Sequence, residues 1–207
     1  LLALAHLRFR NAPTAFLRGL AKTLKEEQRH TAWYVNRMKQ CGVEFGEYPV
    51  NRFFWDSVST MECPVDYVSR LSLTFEQANL DYSKHYAGIL KEAGDAPSSK
   101  ILEQIYKDEI SHVGYGLKWF RKWKAESDSD WDALEKRLVF PLSPIRAKGN
   151  QTPFNIEGRR AAGFDDDYIE KLSLYERSRG RTPNVYYFNP EAENRAAIAP
   201  AVYHPPA

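Results

Sequence analysis

The sequence is poor in cysteine, in long apolar runs and in strand signals. Only two cysteines, Cys41 and Cys63, occur in 207 residues. They form no Cys-x-x-Cys pair and are too few for a disulfide scaffold, so two reduced thiols in a cytoplasmic protein are expected. No apolar stretch approaches the ~20 residues that span a bilayer, and no basic start with an apolar middle marks a signal peptide, so no membrane partner is expected. The net charge is only +2. It is spread without acidic or basic blocks, which argues against nucleic acid as the main partner. Strand patterns are nearly missing, with Val185-Tyr186-Tyr187-Phe188 the best candidate. No repeat of solenoid length occurs.

What remains is helical periodicity and many rings. Aromatic residues reach 14%, enough to populate a core. The chain opens on Leu1-Leu2-Ala3-Leu4-Ala5, which reads as the middle of a helix and points to residues upstream. After a break at Asn11-Ala12-Pro13-Thr14, residues 15–40 place Leu20, Leu24, Glu27, Thr31, Tyr34 and Met38 on one stripe. Residues 43–62 read as irregular. A second long helix is expected over 64–93, with Val65, Val68, Ser72, Glu76, Asn79, Ser83, Tyr86 and Leu90 on its stripe. A third spans 98–124, with Leu102, Ile105, Glu109, His112, Gly116, Trp119 and Trp123. Ser129-x-x-Asp132 resembles a capping box before a short helix over 131–138. Residues 139–163 carry repeated Pro and Gly and read as loop, Asp165 can cap a helix over 166–178, and the Pro-rich remainder reads as extended.

Acids within those apolar stripes carry the chemistry. Glu27-Gln28-Arg29-His30 and Glu109-Ile110-Ser111-His112 are two Glu-x-x-His motifs. Residues three apart share a helix face, so each carboxylate and its imidazole can turn toward one metal ion. Glu76 offers a third acid from another helix. One such motif alone is more often a charged pair on a surface helix. Two copies and a third acid, all on core faces, are costly unless paired or bound to a cation. Helical bundles that hold two metal ions follow this recipe. Oxygen and imidazole donors suit Fe or Mn and exclude neither Zn nor Co. Asp108 points about a quarter-turn from Glu109 and reads as a solvated or supporting acid. His85 falls opposite Glu76; His6 and His204 receive no role. Tyr34, Tyr86, Tyr106, Tyr115, Trp119 and Trp123 read as core filling, with a redox-active Tyr as the sharper alternative. Gly114 and Gly116, unfavourable inside a helix, suggest close helix approach.

At these residues a family resemblance emerges. Glu27-x-x-His30, Phe75-Glu76-Gln77-Ala78-Asn79-Leu80-Asp81, Asp108-Glu109-Ile110-Ser111-His112-Val113-x-x-Gly116-x-x-Trp119-Phe120 and the later Pro153-Phe154-Asn155-x-x-Gly158-Arg159-x-Ala161-Ala162-Gly163-Phe164 resemble a bacterial ferritin-like family known as domain of unknown function 455. It is distantly similar to tRNA-hydroxylating di-iron enzymes. The resemblance implies an all-α, ferritin-like four-helix bundle with a truncated first helix, short C-terminal helices and a Pro-rich tail. It implies ligand roles for Glu27, His30, Glu76, Glu109 and His112. It also implies a Glu in the first helix that His6-Leu7-Arg8-Phe9 does not supply, so two Fe or Mn ions are expected, or one if that Glu is absent. The tail resembles a linker to a further domain.

The expected organisation is a bundle over 1–125, a helical extension packed on it over 126–179, and a tail or linker over 180–207. The expected function is an oxygen-dependent oxidase or hydroxylase of a small molecule. The alternatives are a metal-binding or storage protein and a non-catalytic interaction module. A cage-forming oligomer would favour storage, whereas a monomer or homodimer would favour an enzyme.

Overall fold

A computed structural model describes residues 1–176. The expectations for the tail, the Val185-Tyr186-Tyr187-Phe188 strand candidate, His204 and the linker lie outside the described residues. Among the described residues there is no strand, and no helix is long and apolar enough to cross a membrane. The architecture is a helical bundle, as the periodicity predicts. Cys41 and Cys63 are free thiols.

A short helix α1 (Leu2–Arg8) turns into α2 (Thr14–Gln40), which starts directly after Pro13. Proline suits a helix start because its missing N–H is not needed there. Phe16, Leu20, Thr23 and His30 are the buried residues of α2. The predicted stripe fails beyond His30, where Thr31 is exposed and Tyr34 is 45% exposed. In that half α2 meets its neighbour through polar contacts, with Arg37 donating to Ser98 Oγ at 2.7 Å and to Asp95 Oδ1 at 2.9 Å. A second correction concerns residues 43–62, which contain a short helix, α3 (Phe53–Val58).

The second long helix forms one continuous path but not one helix type. It comprises α4 (Pro64–Tyr67), a π-helical segment (Val68–Glu76) and α5 (Gln77–Glu92). In a π-helix each N–H reaches back five residues instead of four, and such segments concentrate at functional sites. Side chains support the wider winding: Thr74 Oγ1 donates to the Ser69 carbonyl five residues back at 2.7 Å. Glu76 is the last residue of this segment.

The third long helix, α6 (Ala96–Trp123), is capped by Asp95, which accepts the Ser98 N–H at 3.1 Å. Its buried positions include Ile105, Glu109, His112, Gly116 and Trp119, the expected stripe. It runs antiparallel to α2: Phe16 meets Trp119, His112 meets Glu26, and His30 meets Asp108. It is also antiparallel to the second path, with Asn79 reaching Glu109 and Ser99 reaching the Ala87 carbonyl. Gly116 permits this approach. A Cβ there would lie 2.2 Å from Ser72 Cβ, so only glycine fits without displacement. At Gly114 the Ala162 carbonyl would be 3.1 Å from such an atom.

The C-terminal part is more ordered than predicted. The capping box holds: Ser129 Oγ accepts the Asp132 N–H at 3.1 Å ahead of α7 (Asp130–Arg137). Residues 139–163, read as loop, contain a 3-10 turn (Pro144–Ala147) and α8 (Ile156–Ala162). Asn155 caps α8 by accepting the Gly158 N–H at 3.0 Å, and Gly163 closes it at φ 101°, a left-handed position that favours glycine. α9 (Asp166–Leu174) follows, capped by Asp165.

A buried ion pair pins this region to α5. Arg159 is fully buried and Asp81 is 1% exposed. The guanidinium donates to both Asp81 oxygens, at 2.6 and 2.9 Å, and to the carbonyls of Asn155 and Ala147. Asp81 also accepts the N–H groups of Gly149 and Asn155. Both ionic groups are thus hydrogen-bonded, with Arg159 Nε alone left without a partner, and this makes the burial tolerable.

Candidate metal centre

Five residues from α2, the π segment and α6 form one acid and imidazole cluster inside the bundle. Glu27, His30 and Glu109 each offer a ligand atom within 4.8 Å of the others, a spacing that can hold a metal ion. His112 joins them: its Nδ1 lies 3.3 Å from Glu27 Oε1 and 3.6 Å from Glu109 Oε2. His30 Nδ1 lies 3.2 Å from the same Glu27 oxygen, and the two imidazole rings are 6.0 Å apart. His30, Glu109, His112 and Glu76 are all buried, and Glu27 is partly buried. Glu76 is electrostatically coupled to His112, Glu109 and Glu27.

The other nitrogen of each imidazole is held by an acid on the opposite helix. His30 Nε2 is 2.9 Å from Asp108 Oδ2, and His112 Nε2 is 3.0 Å from Glu26 Oε2. An ionised carboxylate only accepts, so each Nε2 carries the proton and, in the neutral ring, Nδ1 is the basic atom directed at the cluster. Asp108 is itself anchored by Arg29 at 2.8 Å and Gln104 at 3.0 Å. It is therefore a supporting acid and not a solvated bystander. Asn79 donates to Glu109 Oε1 at 2.7 Å and fixes that carboxylate's other oxygen inward.

Sequence reasoning missed Glu26 and gave Asn79 no task. A signal existed for the first: both Glu-x-x-His motifs are preceded by an acid, Glu26-Glu27 and Asp108-Glu109. The helix between them carries Glu76-x-x-Asn79 in the same spacing. Of the other predicted neighbours, Tyr86 is 47% exposed. The Tyr115 hydroxyl donates to the Phe16 carbonyl at 2.6 Å, and burial together with the Glu76 charge raises its pKa. Tyr106 accepts from Asn155. His85 is partly exposed against Tyr86. Tyr34 does lie near the acids, and burial together with Glu109 and Glu27 raises its pKa.

Proton affinities express the crowding. Burial pushes Glu76 up, the neighbouring Glu109 and Glu27 charges add to it against His112, and the carboxyl reaches about 8. Burial pulls the His112 imidazole down, but Glu109, Glu27 and Glu76 more than reverse this and raise it to about 11. Burial raises Glu27, yet hydrogen bonding to His112 and His30 holds it at about 2. Burial opposes the charged form of His30, while Glu27 and Asp108 raise its pKa overall.

Inward atoms nonetheless lack a well-aligned hydrogen bond: Glu27 Oε1 and His112 Nδ1, although only 3.3 Å apart, and Glu76 Oε2 and Glu109 Oε2. Buried polar atoms in native proteins are nearly always satisfied, and exceptions call for a bound ion, a water or a catalytic role. Three carboxylate oxygens and an imidazole nitrogen form a donor set that Fe, Mn, Co or Zn accepts. The residues present therefore fit a divalent metal.

Comparison with known proteins agrees with the motifs. Residues 1–170 match the family described as "Protein of unknown function (DUF455)". The chain belongs to the DUF455 family. It is also similar to an uncharacterized protein of Haemophilus influenzae, 20% identical over 165 residues, covering 79% of this chain and 56% of the relative. The chain thus spans about half the length of the curated relative it matches. No solved structure matches it. For this DUF455 chain, the cluster between α2, the π segment and α6 is the chemically distinctive feature.

Proposed function

We propose that this DUF455 chain is a ferritin-like bundle that binds divalent metal, Fe or Mn, and serves as an oxygen-dependent oxidase or hydroxylase of a small molecule. One observation carries the reading: Glu27 Oε1, Glu109 Oε2, Glu76 Oε2 and His112 Nδ1 are buried together and lack well-aligned hydrogen bonds. Glu27, His30 and Glu109 would hold one ion. His112 and Glu76, with Glu27 or Glu109, would hold a second, which is the ligand set of two-metal helical bundles less the first-helix carboxylate. Such ions supply Lewis acidity and one-electron redox chemistry when bound.

The chain's own groups set the conditions for that chemistry. Asp108 and Glu26 fix the tautomer and plane of His30 and His112, which raises their basicity toward a cation. Asn79 orients Glu109. The buried setting strengthens every charge interaction within the cluster. Glu76, whose proton affinity lies near neutrality, can hold or release a proton at its carboxyl beside the reacting centre.

The test is loading of the purified chain with Fe(II) or Mn(II), elemental analysis after desalting, and then oxygen uptake by the Fe(II) form. One to two equivalents of metal, with uptake lost in Glu109→Gln, are expected. Retention below about a tenth of an equivalent would remove the metal reading, since ligands assembled by folding couple directly to binding. Retention without oxygen uptake would leave metal binding and remove the oxidase.

A further inference from the structure

Tyr67, the last residue of α4, and Ser72 in the π segment carry hydroxyl groups that the helix backbone does not use. Tyr67 is fully buried, Ser72 is 1% exposed and Glu76 is 8% exposed. The Tyr67 hydroxyl, Ser72 Oγ and Glu76 Oε2 each lack a well-formed hydrogen bond. The contrast with nearby hydroxyls is sharp. Ser69 Oγ donates to the Val65 carbonyl at 2.7 Å, Thr74 Oγ1 to the Ser69 carbonyl, and Tyr115 to the Phe16 carbonyl. Ser72 and Tyr67, on the same stretch of chain, make no such bond.

The winding explains why these groups meet. In an α-helix at ~100° per residue, the nine steps from Tyr67 to Glu76 would put them on opposite faces. Val68–Glu76 is π-helical. With bonds to the fifth residue back, the same nine steps make roughly two turns and bring both to one side, with Ser72 between them. Ser72 lies near enough to Tyr67 and to Glu76 to lower the proton affinity of each as a hydrogen-bonding neighbour, although no well-formed bond joins them, and Tyr67 also feels Glu76, Tyr115 and Glu27. The Phe16 ring closes one wall, edge-on to Tyr67 at 6.1 Å between centroids. Gly116 lies against Ser72, where any side chain would displace it.

The donor count suits a single small guest. Two hydroxyl donors and one carboxyl oxygen are what one water molecule needs to be held, accepting from Tyr67 and Ser72 and donating to Glu76. We infer that Tyr67 and Ser72 are positioning residues for Glu76, forming a niche that takes one water-sized hydrogen-bonding molecule and through it fixes the carboxyl facing the metal centre. This rests on the metal reading above. It assigns a task to a tyrosine outside the cluster and gives the π segment its purpose, which is to bring residues 67, 72 and 76 into line.

Co(II) is a suitable probe, because its visible bands report coordination geometry independently of any turnover. The full chain and its Tyr67→Phe, Ser72→Ala and Ser99→Ala variants are titrated with Co(II) and melted without metal. Tyr67→Phe removes a hydroxyl that makes no well-formed bond within the protein, so its metal-free melting temperature should hold or rise. Its Co(II) affinity should fall ~10- to 100-fold and its bands should shift, as for other groups that orient metal ligands. Ser72→Ala should behave alike and serves if Tyr67→Phe does not fold. Ser99→Ala, losing its buried bond to the Ala87 carbonyl at the other end of α6, should melt lower yet keep the parent's affinity and spectrum. If the parent binds Co(II) and both niche variants match it in affinity and spectrum, the inference is overturned while the metal reading stands. If the parent binds none, both fall.

Discussion

Removing the Asp81 carboxylate should detach the C-terminal segment from the bundle. In Asp81→Ala the fully buried Arg159 loses hydrogen bonds of 2.6 and 2.9 Å. It retains only the Asn155 and Ala147 carbonyls, and the N–H groups of Gly149 and Asn155 lose their acceptor. Breaking one side of a buried ion pair costs about 3–5 kcal/mol, because the remaining charge stays desolvated. In a unit of this size each kcal/mol lowers the melting temperature by ~2–4 °C. A loss of ~4 kcal/mol thus corresponds to ~8–16 °C. The double variant Asp81→Leu/Arg159→Met removes both charges and should recover part of the loss, since apolar groups of similar volume replace buried pairs well. Full recovery is not expected, because Gly149 and Asn155 still lack an acceptor. Urea denaturation followed by circular dichroism measures both variants. A loss below ~1 kcal/mol in Asp81→Ala, or a double variant no more stable than the single, would refute the account of the pair as a compensated buried charge.

Three further outcomes are expected. Asp108→Asn and Glu26→Gln, which act on His30 and His112 respectively, should each weaken Mn(II) binding ~10- to 100-fold in equilibrium titration; unchanged affinity in both would make the cross-helix pairs incidental. In the metal-free protein at pH 7, His112 (about 11) and Glu76 (about 8) hold protons that a cation must displace. Displacement releases protons, so affinity should rise between pH 6 and 8, by up to ~10-fold per unit for each proton released, and a flat profile would contradict the assigned protonation. Gly116→Ala should destabilise by ~1–3 kcal/mol through its clash with Ser72, whereas Gly88→Ala, with nothing within 4 Å of the new atom, should stabilise by ~0.4–1 kcal/mol; equal effects in thermal melts would show that the close approach at Gly116 is not needed.

The sequence made some of this visible because certain signals are local. A Glu and a His three apart on a helix share a face whatever surrounds the helix, so Glu27, His30, Glu109 and His112 were identifiable in advance. The caps Ser129 and Asp165 were readable for the same reason. Asn155 also caps a helix, but Pro153, Gly158 and Gly163 around it imitate a loop and hid α8. Thr31 and Tyr34 show the opposite error. Periodicity tells which face a residue lies on, not whether anything packs over it, and Tyr34 is 45% exposed. Glu26 and Asn79 escaped because their partners, His112 and Glu109, sit on other helices. The π segment leaves no local signal, and a period of 3.6 places Tyr67 on the wrong side of the helix.

The antiparallel pairing of α2 and α6 explains why the acid before each motif matters. Both helices read acid-Glu-x-x-His: Glu26-Glu27-x-x-His30 and Asp108-Glu109-x-x-His112. Because the helices run in opposite directions, the acid of each lies level with the His of the other. Each motif therefore supplies both candidate ligands and the group that orients its counterpart's imidazole. Neither helix can form the cluster alone, and the two are related by an approximate two-fold operation. Glu76 breaks that symmetry by arriving from a third helix wound differently. In the metal-free cluster Glu27, Glu76 and Glu109 face two imidazoles, while Asp108 and Glu26 behind them are paired with Arg29 and Lys22. The cluster relieves the repulsion by binding protons, on Glu76 up to about 8 and on His112 up to about 11. Such a site stores its electrostatic imbalance as raised proton affinity. Divalent cations carry the charge that reverses the imbalance, and Glu27 Oε1, Glu109 Oε2 and His112 Nδ1 are the atoms left to receive them.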